Sequence, residues 1–530
     1  MPEILTLQFG NQANYLATHF WNLQESYFTY APNTEPSIVD HDIHFRPGIG
    51  TDGSDTYTPR TVIYDLKGGF GSLKKVNALY DDVGDSRIEG LWSGNTVTHR
   101  QAPILQTQYQ QDLDQGLPTN QLKASDVRYW SDFNRVFFHP RSIVQLNDYS
   151  LGSDLRPFES WSTGEELFRD VDREADILDR DVRLFAEEAD QMQGFQIFAT
   201  TDDAWGGWTE RYLDALRDEF GKKSIWVWGL EDGRREDRAK MLGRAANSAR
   251  SLCGISKLAS AVLRLSSEPT PLPEYVDVGT GSRWERTALM ATVAESVTLP
   301  TRLRIGTSLK RSSMAEFEQT LNTNEGQNVF EVGLNIQMED SDNKNDNGQT
   351  IQRERFGEDQ NTDAEAATFD INFMPSTTSL LPQTLATVAR NRPRRHVFAQ
   401  IETDRYPNRS SGRYRSTAQL DHEELLRRRY NEEAIISIFS IPLAFPHLDT
   451  IPASIFRGTS KASSPKELSL ACGLTTSSRT KHTVFELRDI VTRHSRAVSI
   501  DEREELYNGL TEVGEKYDFG WESDDNSEDE

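Results

Sequence analysis

The stretch ILTLQFGNQANYLATHFWNL, residues 4–23, decides the fold. Its first six residues are apolar and β-prone, GNQAN interrupts them, and the chain resumes with Leu16, Phe20 and Leu23 at helical spacing. A buried strand that turns tightly into an amphipathic helix is the opening unit of an α/β sheet, and the turn leaves backbone N–H donors at the head of the helix.

The same pattern recurs along the chain. RTVIYDL (60–66) reads as a second buried strand carrying Asp65 near its end, and RVFFHPRSIVQL (135–146) as another apolar segment. From Glu165 to Gln191 the apolar positions Leu167, Val171, Leu178, Val182, Phe185 and Ala189 keep steps of three, four or seven, which predicts one long amphipathic helix. GFQIFATT (194–201), a helix bearing Trp208, Tyr212, Leu216 and Phe220, and SIWVWGL (224–230) form a β-α-β unit. Its right-handed crossover calls for a parallel sheet. The polar stretch 41–59 reads as a surface loop that carries His41 and His44 as a solvated pair, and GKKS (221–224) as a turn. AIISIFSIPLAF (434–445) is too short to span a bilayer and is broken by Pro442, so it reads as one or two buried strands.

A chain of 530 residues is expected to hold more than one packed unit. We divide it into residues 1–116 and 120–305, which together make one nucleotide-binding-like domain with a central helix, a C-terminal α/β or α+β domain at 306–518, and a disordered acidic tail at 519–530. The polar segment 338–366 is expected to be a mobile insertion. Within it, NKNDNGQTIQRE (343–354) imitates a calcium loop, but Asn343 opens it and Ile351 stands at the ninth position, so a plain solvated loop is expected. The net charge of −25 opposes direct nucleic-acid binding, since only RNRPRR (390–395) and scattered arginines after it supply clustered cations. Two cysteines, Cys253 and Cys472, suit a reducing compartment. No signal peptide, mitochondrial presequence or transmembrane segment is visible.

FGNQANYLATHFW (9–21) resembles the opening of tubulins, with Gly10, Asn14, Phe20 and Trp21 in matching places. PRTVIYDL (59–66), FHPRSIV (138–144) and QGFQIF (193–198) are similar to tubulin segments in the same order. GNQANY, THFWN, LWSG and WSDFNRVFFHPRS together resemble the Misato family over roughly residues 1 to 300. The resemblance implies a tubulin-like parallel sheet with flanking helices. For the fungal type of that family it also implies a part in mitochondrial inheritance and the partitioning of mitochondrial DNA, on the cytosolic face of the organelle with a cytoplasmic pool. Partners would be proteins, cytoskeletal or chaperone in kind.

The residues that would contact a nucleotide under this resemblance are Gly10, Asn11, Gln12, Asn14, Asp65, Gly206 and Gly207. Several neighbours depart from the tubulin pattern. Ala13 replaces a glycine, Tyr15 a glutamine and Lys67 an acidic residue, and DDAWGGW (202–208) stands where tubulins carry their glycine-rich phosphate loop. Asp202 or Asp203 is placed to cap the next helix, and Trp205 is bulky where a backbone must approach phosphate. The expectation is a non-enzymatic organising protein without cofactor or metal. The rival reading is a GTP-binding, self-assembling GTPase, and the two differ in whether a pocket lies open at Gly10, Asp65 and Gly206 or is filled by Trp205 and Asp202.

Overall fold

The computed structural model describes residues 2–29, 36–50, 53–73, 104–234, 236–269, 272–279, 281–307, 309–324, 326–337, 366–376, 395–407, 427–428, 433–456, 467–494 and 498–519. The strands, in chain order, are β1 (Ile4–Phe9), β2 (Phe45–Ile49), β3 (Asp55–Pro59), β4 (Thr61–Lys67), β5 (Ile143–Ser150), β6 (Gly194–Thr200), β7 (Ser224–Glu231), β8 (Ala261–Ser266), β9 (Val329–Gln337), β10 (Ile371–Asn372), β11 (Val397–Arg405), β12 (Ile435–Ile441), β13 (Phe445–Pro446) and β14 (Glu467–Ser477). The helices that position the site are α1 (Asn11–Glu25), α2 (Gln108–Asp114), α3 (Trp161–Ala175), α4 (Arg183–Glu187), α5 (Ala204–Glu219), α6 (Arg238–Leu258), α7 (Arg283–Val297), α8 (Met314–Leu321), α9 (Arg479–His494) and α10 (Ile500–Glu515).

One sheet runs through the molecule in the order β12-β11-β14-β9-β8-β7-β6-β1-β4-β5. From β5 to β9 every neighbouring pair is parallel, as the β-α-β reading requires. β14 then lies antiparallel to both β9 and β11. Side chains alternate between the two faces, so both are apolar and both are covered. Ile4, Phe198, Trp226 and Trp228 join the core under α1, α7 and α8. Leu5, Leu7, Phe9, Ile197 and Val227 join a second core under α3, α5, α6, α9 and α10.

Helix α7 is the spine of the first core and is buried along nearly its whole length. It packs against α1 on one side and reaches β9, β11 and β14 on the other. At its end Glu295, fully buried, accepts from Arg302 at 2.6 Å and from Arg405 of β11 at 2.5 Å, both arginines being fully buried too. Tyr27 Oη and Gln24 Nε2, at and just beyond the end of α1, donate to the same carboxylate. Burial alone would raise the Glu295 pKa, but the two guanidiniums hold it below the usual range.

Three expectations need correction. The segment 165–191 is not one helix: α3 ends at Asp176, which takes a left-handed φ of 43°, and a π-turn at Leu178–Val182 precedes α4. The physical reason is competition from short acidic side chains, since Asp172 accepts from the Ile177 N–H and Asp176 from the Asp179 N–H. The stretch 41–59 is a short 3-10 turn followed by the β2–β3 hairpin rather than an open loop. His44 is buried against Phe20 and Trp21 and His41 stacks on Phe28 at 3.7 Å, because α1 and the residues just beyond it present aromatic rings to this turn. The GKKS turn and the strands within 434–445 are as expected. Most of 338–366, the calcium-like loop, LWSG, all of RNRPRR except Arg395, and all of the acidic tail after Phe519 lie outside the described residues.

The buried charge node yields a stability prediction. Glu295→Ala leaves two buried arginines without a counterion, and chemical denaturation should show a loss of about 3–5 kcal/mol. Glu295→Gln, which keeps an acceptor, should cost less.

Candidate functional site

The carboxyl ends of β1, β4, β5, β6 and β7 open onto a cleft of about 780 Å³. This is where parallel α/β sheets bind ligands, because loops and helix N-termini converge there. Asn11 and Gln12 line it from the head of α1, and Asp202, Asp203 and Trp205 from the turn after β6. Leu151 to Ser160, the connection after β5, forms one wall, and the start of α6 with Arg283 of α7 forms another.

At the floor, Gly10 takes a φ of 94° and serves as the N-cap of α1 without a side-chain bond. Its N–H donates to the Tyr64 carbonyl and its carbonyl accepts from Asn14. The indole of Trp205 lies directly against it: a Cβ at Gly10 would sit 2.6 Å from the ring. Trp205 is itself buried, with Phe158 edge-on at 5.2 Å and Tyr149 tilted behind Phe158 at 5.0 Å. Of the two outcomes set out from the sequence neither holds whole: Trp205 covers Gly10, while the cleft above it stays open with Asp202 on its wall.

Asp203 caps α5. Its Oδ1 accepts from the Trp205 N–H at 2.9 Å and from the Thr200 hydroxyl at 2.8 Å, occupying donors that an anion would otherwise use. Asp202 faces the other way and accepts from the Asp232 N–H at 2.8 Å. Burial drives the Asp203 carboxyl up to about 6, and burial together with Asp203 and Glu231 drives Asp202 well above the carboxylate range. Of these two carboxyls, which stand where the resemblance puts glycines, Asp203 opposes a polyphosphate in sign once it is ionised, above about pH 6.

Gly206 and Gly207 lie inside α5, away from the cleft. A Cβ at Gly206 would meet Ser251 of α6 at 2.1 Å, and one at Gly207 the Trp161 carbonyl of α3 at 2.0 Å. These glycines allow three helices to pack closely rather than a backbone to approach phosphate. Asp65 is fully buried beneath the cleft and accepts from Asn11 Nδ2 at 3.2 Å, Asn14 Nδ2 at 3.0 Å, Trp130 Nε1 at 3.3 Å and the Leu66 N–H at 2.9 Å. Burial pushes its pKa up to about 6 against those bonds. Lys67, the last residue of β4, is exposed. The structure therefore brings Gly10, Asn11, Asn14 and Asp65 together as one hydrogen-bonded corner, with Gln12 on the cleft wall.

Sequence reasoning missed three parts of this site. Arg283 donates to Asn11 Oδ1 at 2.8 Å, tying the head of α7 to the head of α1. Phe158 backs the Trp205 plug, and Trp130 bonds Asp65 from a 3-10 turn. On the rim, Asp232 is gripped by Arg234 at 2.5 Å, with Arg244 and Arg286 at 3.7 Å. Burial raises the Asp232 pKa, but Arg234 and Arg244 outweigh it and hold the carboxyl low. The arginine-rich RREDR after β7 was the available signal for that cluster; nothing local in the sequence marks Phe158. Among the described residues no group of histidines, cysteines and carboxylates is arranged to hold a metal ion, and no helix is long and apolar enough to cross a membrane.

Two measurements follow from the plug. Gly10→Ala should destabilise by more than the roughly 1–3 kcal/mol that a backbone of positive φ and extended ψ costs a non-glycine residue, because its methyl strikes the indole. Trp205→Ala in the same chain should remove that excess, seen as non-additive melting shifts. Asp203→Asn keeps the Oδ1 cap and removes a buried charge. Because the folded pKa of Asp203 is raised, its contribution to stability is complete below about pH 4 and is lost as pH rises through about 6. The variant's melting temperature should therefore gain on the parent's between pH 5 and 7.5.

Residues 2–115 match the family model described as the Misato Segment II tubulin-like domain, and residues 119–303 match the one described as a tubulin domain. Over the full length of both chains, this one is 44% identical to protein dml1 of Aspergillus clavatus and 44% identical to protein dml-1 of Neurospora crassa. Protein DML1 of Yarrowia lipolytica is 26% identical, again over the whole of both chains.

Proposed function

This chain belongs to the Misato-type tubulin-like family that includes the fungal Dml1 proteins, and on that premise we propose that it is a non-enzymatic organising protein for the partitioning of mitochondria and their DNA. The observation that carries the non-enzymatic part is the indole of Trp205 seated on Gly10, with Asp203 capping α5. Turnover of a nucleoside triphosphate needs a phosphate cradle and a held cation. Here the Trp205 N–H at the head of α5 is satisfied by Asp203, and Lys67 stands where the resemblance calls for an acidic residue. The cleft is kept as architecture: its corner of Asn11, Asn14, Asp65 and Arg283 joins β4, α1 and α7.

The cellular part is supported by the family's fungal type, and the charge of −25 favours an indirect effect on mitochondrial DNA through protein partners on the cytosolic face of the organelle. A GTP-binding, self-assembling protein is the second reading, supported by the surviving Gly10 turn and the open volume beside it.

Purified protein, denatured and chromatographed, should release no stoichiometric guanine nucleotide, and GTP hydrolysis should stay at the background rate. Turnover abolished by Asp65→Ala would establish the second reading instead. In cells depleted of the protein, microscopy should show clumped or unevenly inherited mitochondria together with loss of mitochondrial DNA, and normal inheritance would refute the cellular role.

A further inference from the structure

The chain leaves α10 at a fixed point. Tyr517 is fully buried, its hydroxyl donating to the Val329 carbonyl at 3.0 Å and accepting from the Val329 N–H at 2.6 Å, which pins the end of the helix to the start of β9. Phe519 then stacks on the His396 ring, with centroids 3.6 Å apart and planes 13° from parallel, and Phe398 stands edge-on to it at 6.3 Å. His396 is held in turn by the residue after β14: its N–H donates to Ser478 Oγ at 3.0 Å, and its carbonyl accepts from the Ser478 N–H at 2.9 Å.

Two charge runs of opposite sign are joined to this stack. After Phe519 the sequence GWESDDNSEDE (520–530) carries six carboxylates and no cation. Before His396 the sequence RNRPRR (390–395) carries four arginines, and no aspartate or glutamate stands between Asp370 and Glu402 to compensate them locally. Arg395 is engaged by Glu331 at 3.4 Å and by Ser477 Oγ at 3.3 Å, and Lys481 in the first turn of α9 by Asp518 at 2.8 Å. Covalent geometry confines Arg394 and Glu522, two residues before His396 and three after Phe519, to within about 7 and 11 Å of those anchors. The two runs therefore overlap in the space they can reach.

We propose that the acidic tail 520–530 docks on the arginines that lead into His396, an internal electrostatic clasp anchored by the stack of Phe519 on His396. The occupant is this tail rather than a separate acidic chain, because tethering at such short range makes the pairing intramolecular, at an effective concentration on the order of millimolar. Guanidinium forks suit carboxylates as partners. While the clasp is closed, the arginines are withheld from anionic surfaces and the tail from basic ones, and a partner of either sign binds by displacing the other half.

The test compares trypsin cleavage after Arg390 and Arg394, mapped by mass spectrometry, in the parent and in a full-length variant whose six tail carboxylates are replaced by the matching amides. At low salt the parent should be cut several-fold more slowly at these two bonds, and the difference should close as salt rises. A fluorescent peptide of sequence 520–530, read by anisotropy, is the second measure. It should bind the amide variant at low salt but not the parent, and Arg390→Gln, Arg392→Gln and Arg394→Gln together in the amide variant should abolish that binding. Matching melting temperatures of parent and amide variant should separate lost shielding from lost folding. Equal cleavage and equal peptide binding by the two chains would show that the tail does not cover the arginines, and would overturn the proposal. Peptide binding that survives the three arginine substitutions would place the tail elsewhere and overturn it too. Protection of the parent that fades on dilution would assign the occupant to a second copy's tail, which is equally fatal to an internal clasp.

Discussion

The buried carboxylate of Glu295 is the constraint on which the arrangement of the molecule depends. It sits on α7, and its partners come from beyond the end of α1, from the turn after α7 and from β11, which are far apart in sequence. Removing a carboxylate and two guanidiniums from water costs several kcal/mol for each ion, and that cost is met only if all of them arrive together with good geometry. Apolar packing along α7 would tolerate a sliding helix. A closed charge node does not, because displacement by a few ångströms leaves a bare ion in a dry core. The node thereby fixes α7 relative to β11, and through α7 it fixes the position of Arg283 at the other end of the helix, in the cleft.

The cleft is read most simply as a ligand site whose electrostatics have been rewritten from within. A helix N-terminus needs acceptors, and a tubulin-like cleft would take them from phosphate. In this chain Asp203 supplies the acceptor for α5, while the volume over Gly10 goes to an indole backed by Phe158 and Tyr149. The raised pKa values of Asp65 and Asp203 record that burying these carboxylates is costly. Their persistence in spite of that cost is accounted for by position: Asp65 gathers four donors and Asp203 two.

Much of this was legible in the residues because local chemistry dictated it. The strand, tight turn and helix at 4–23 announce themselves through composition alone, and the parallel order of β6 and β7 follows from the crossover between them. The capping role of an aspartate in DDAWGGW was readable because Asp, followed by a helix, has few better uses. What was not readable depended on long-range packing. Gly206 and Gly207 look like a phosphate turn in one dimension, and only the proximity of Ser251 and the Trp161 carbonyl shows that they are contact points between helices. The break at Asp176 was concealed because apolar spacing survives a π-turn, and His44 read as solvated because the aromatic rings that cover it lie on α1, more than twenty residues away.

These features bear on how a tubulin-like fold would persist without a nucleotide, as proposed above for this chain. A protein whose helix termini are neutralised by a bound ligand gains stability from that ligand only in proportion to its concentration relative to its dissociation constant. An internal cap and an aromatic plug are covalently part of the chain, so their contribution is always present and does not change with a hydrolysis cycle. On the non-enzymatic reading proposed above, a cap that belongs to the chain also leaves no switch, since it cannot be lost by hydrolysis. On that reading the fold keeps its surfaces but not a clock. The functional consequence belongs on the surfaces: what such a chain does must be set by what it holds and where, and the cleft contributes by keeping α1, β4 and α7 in register beneath them.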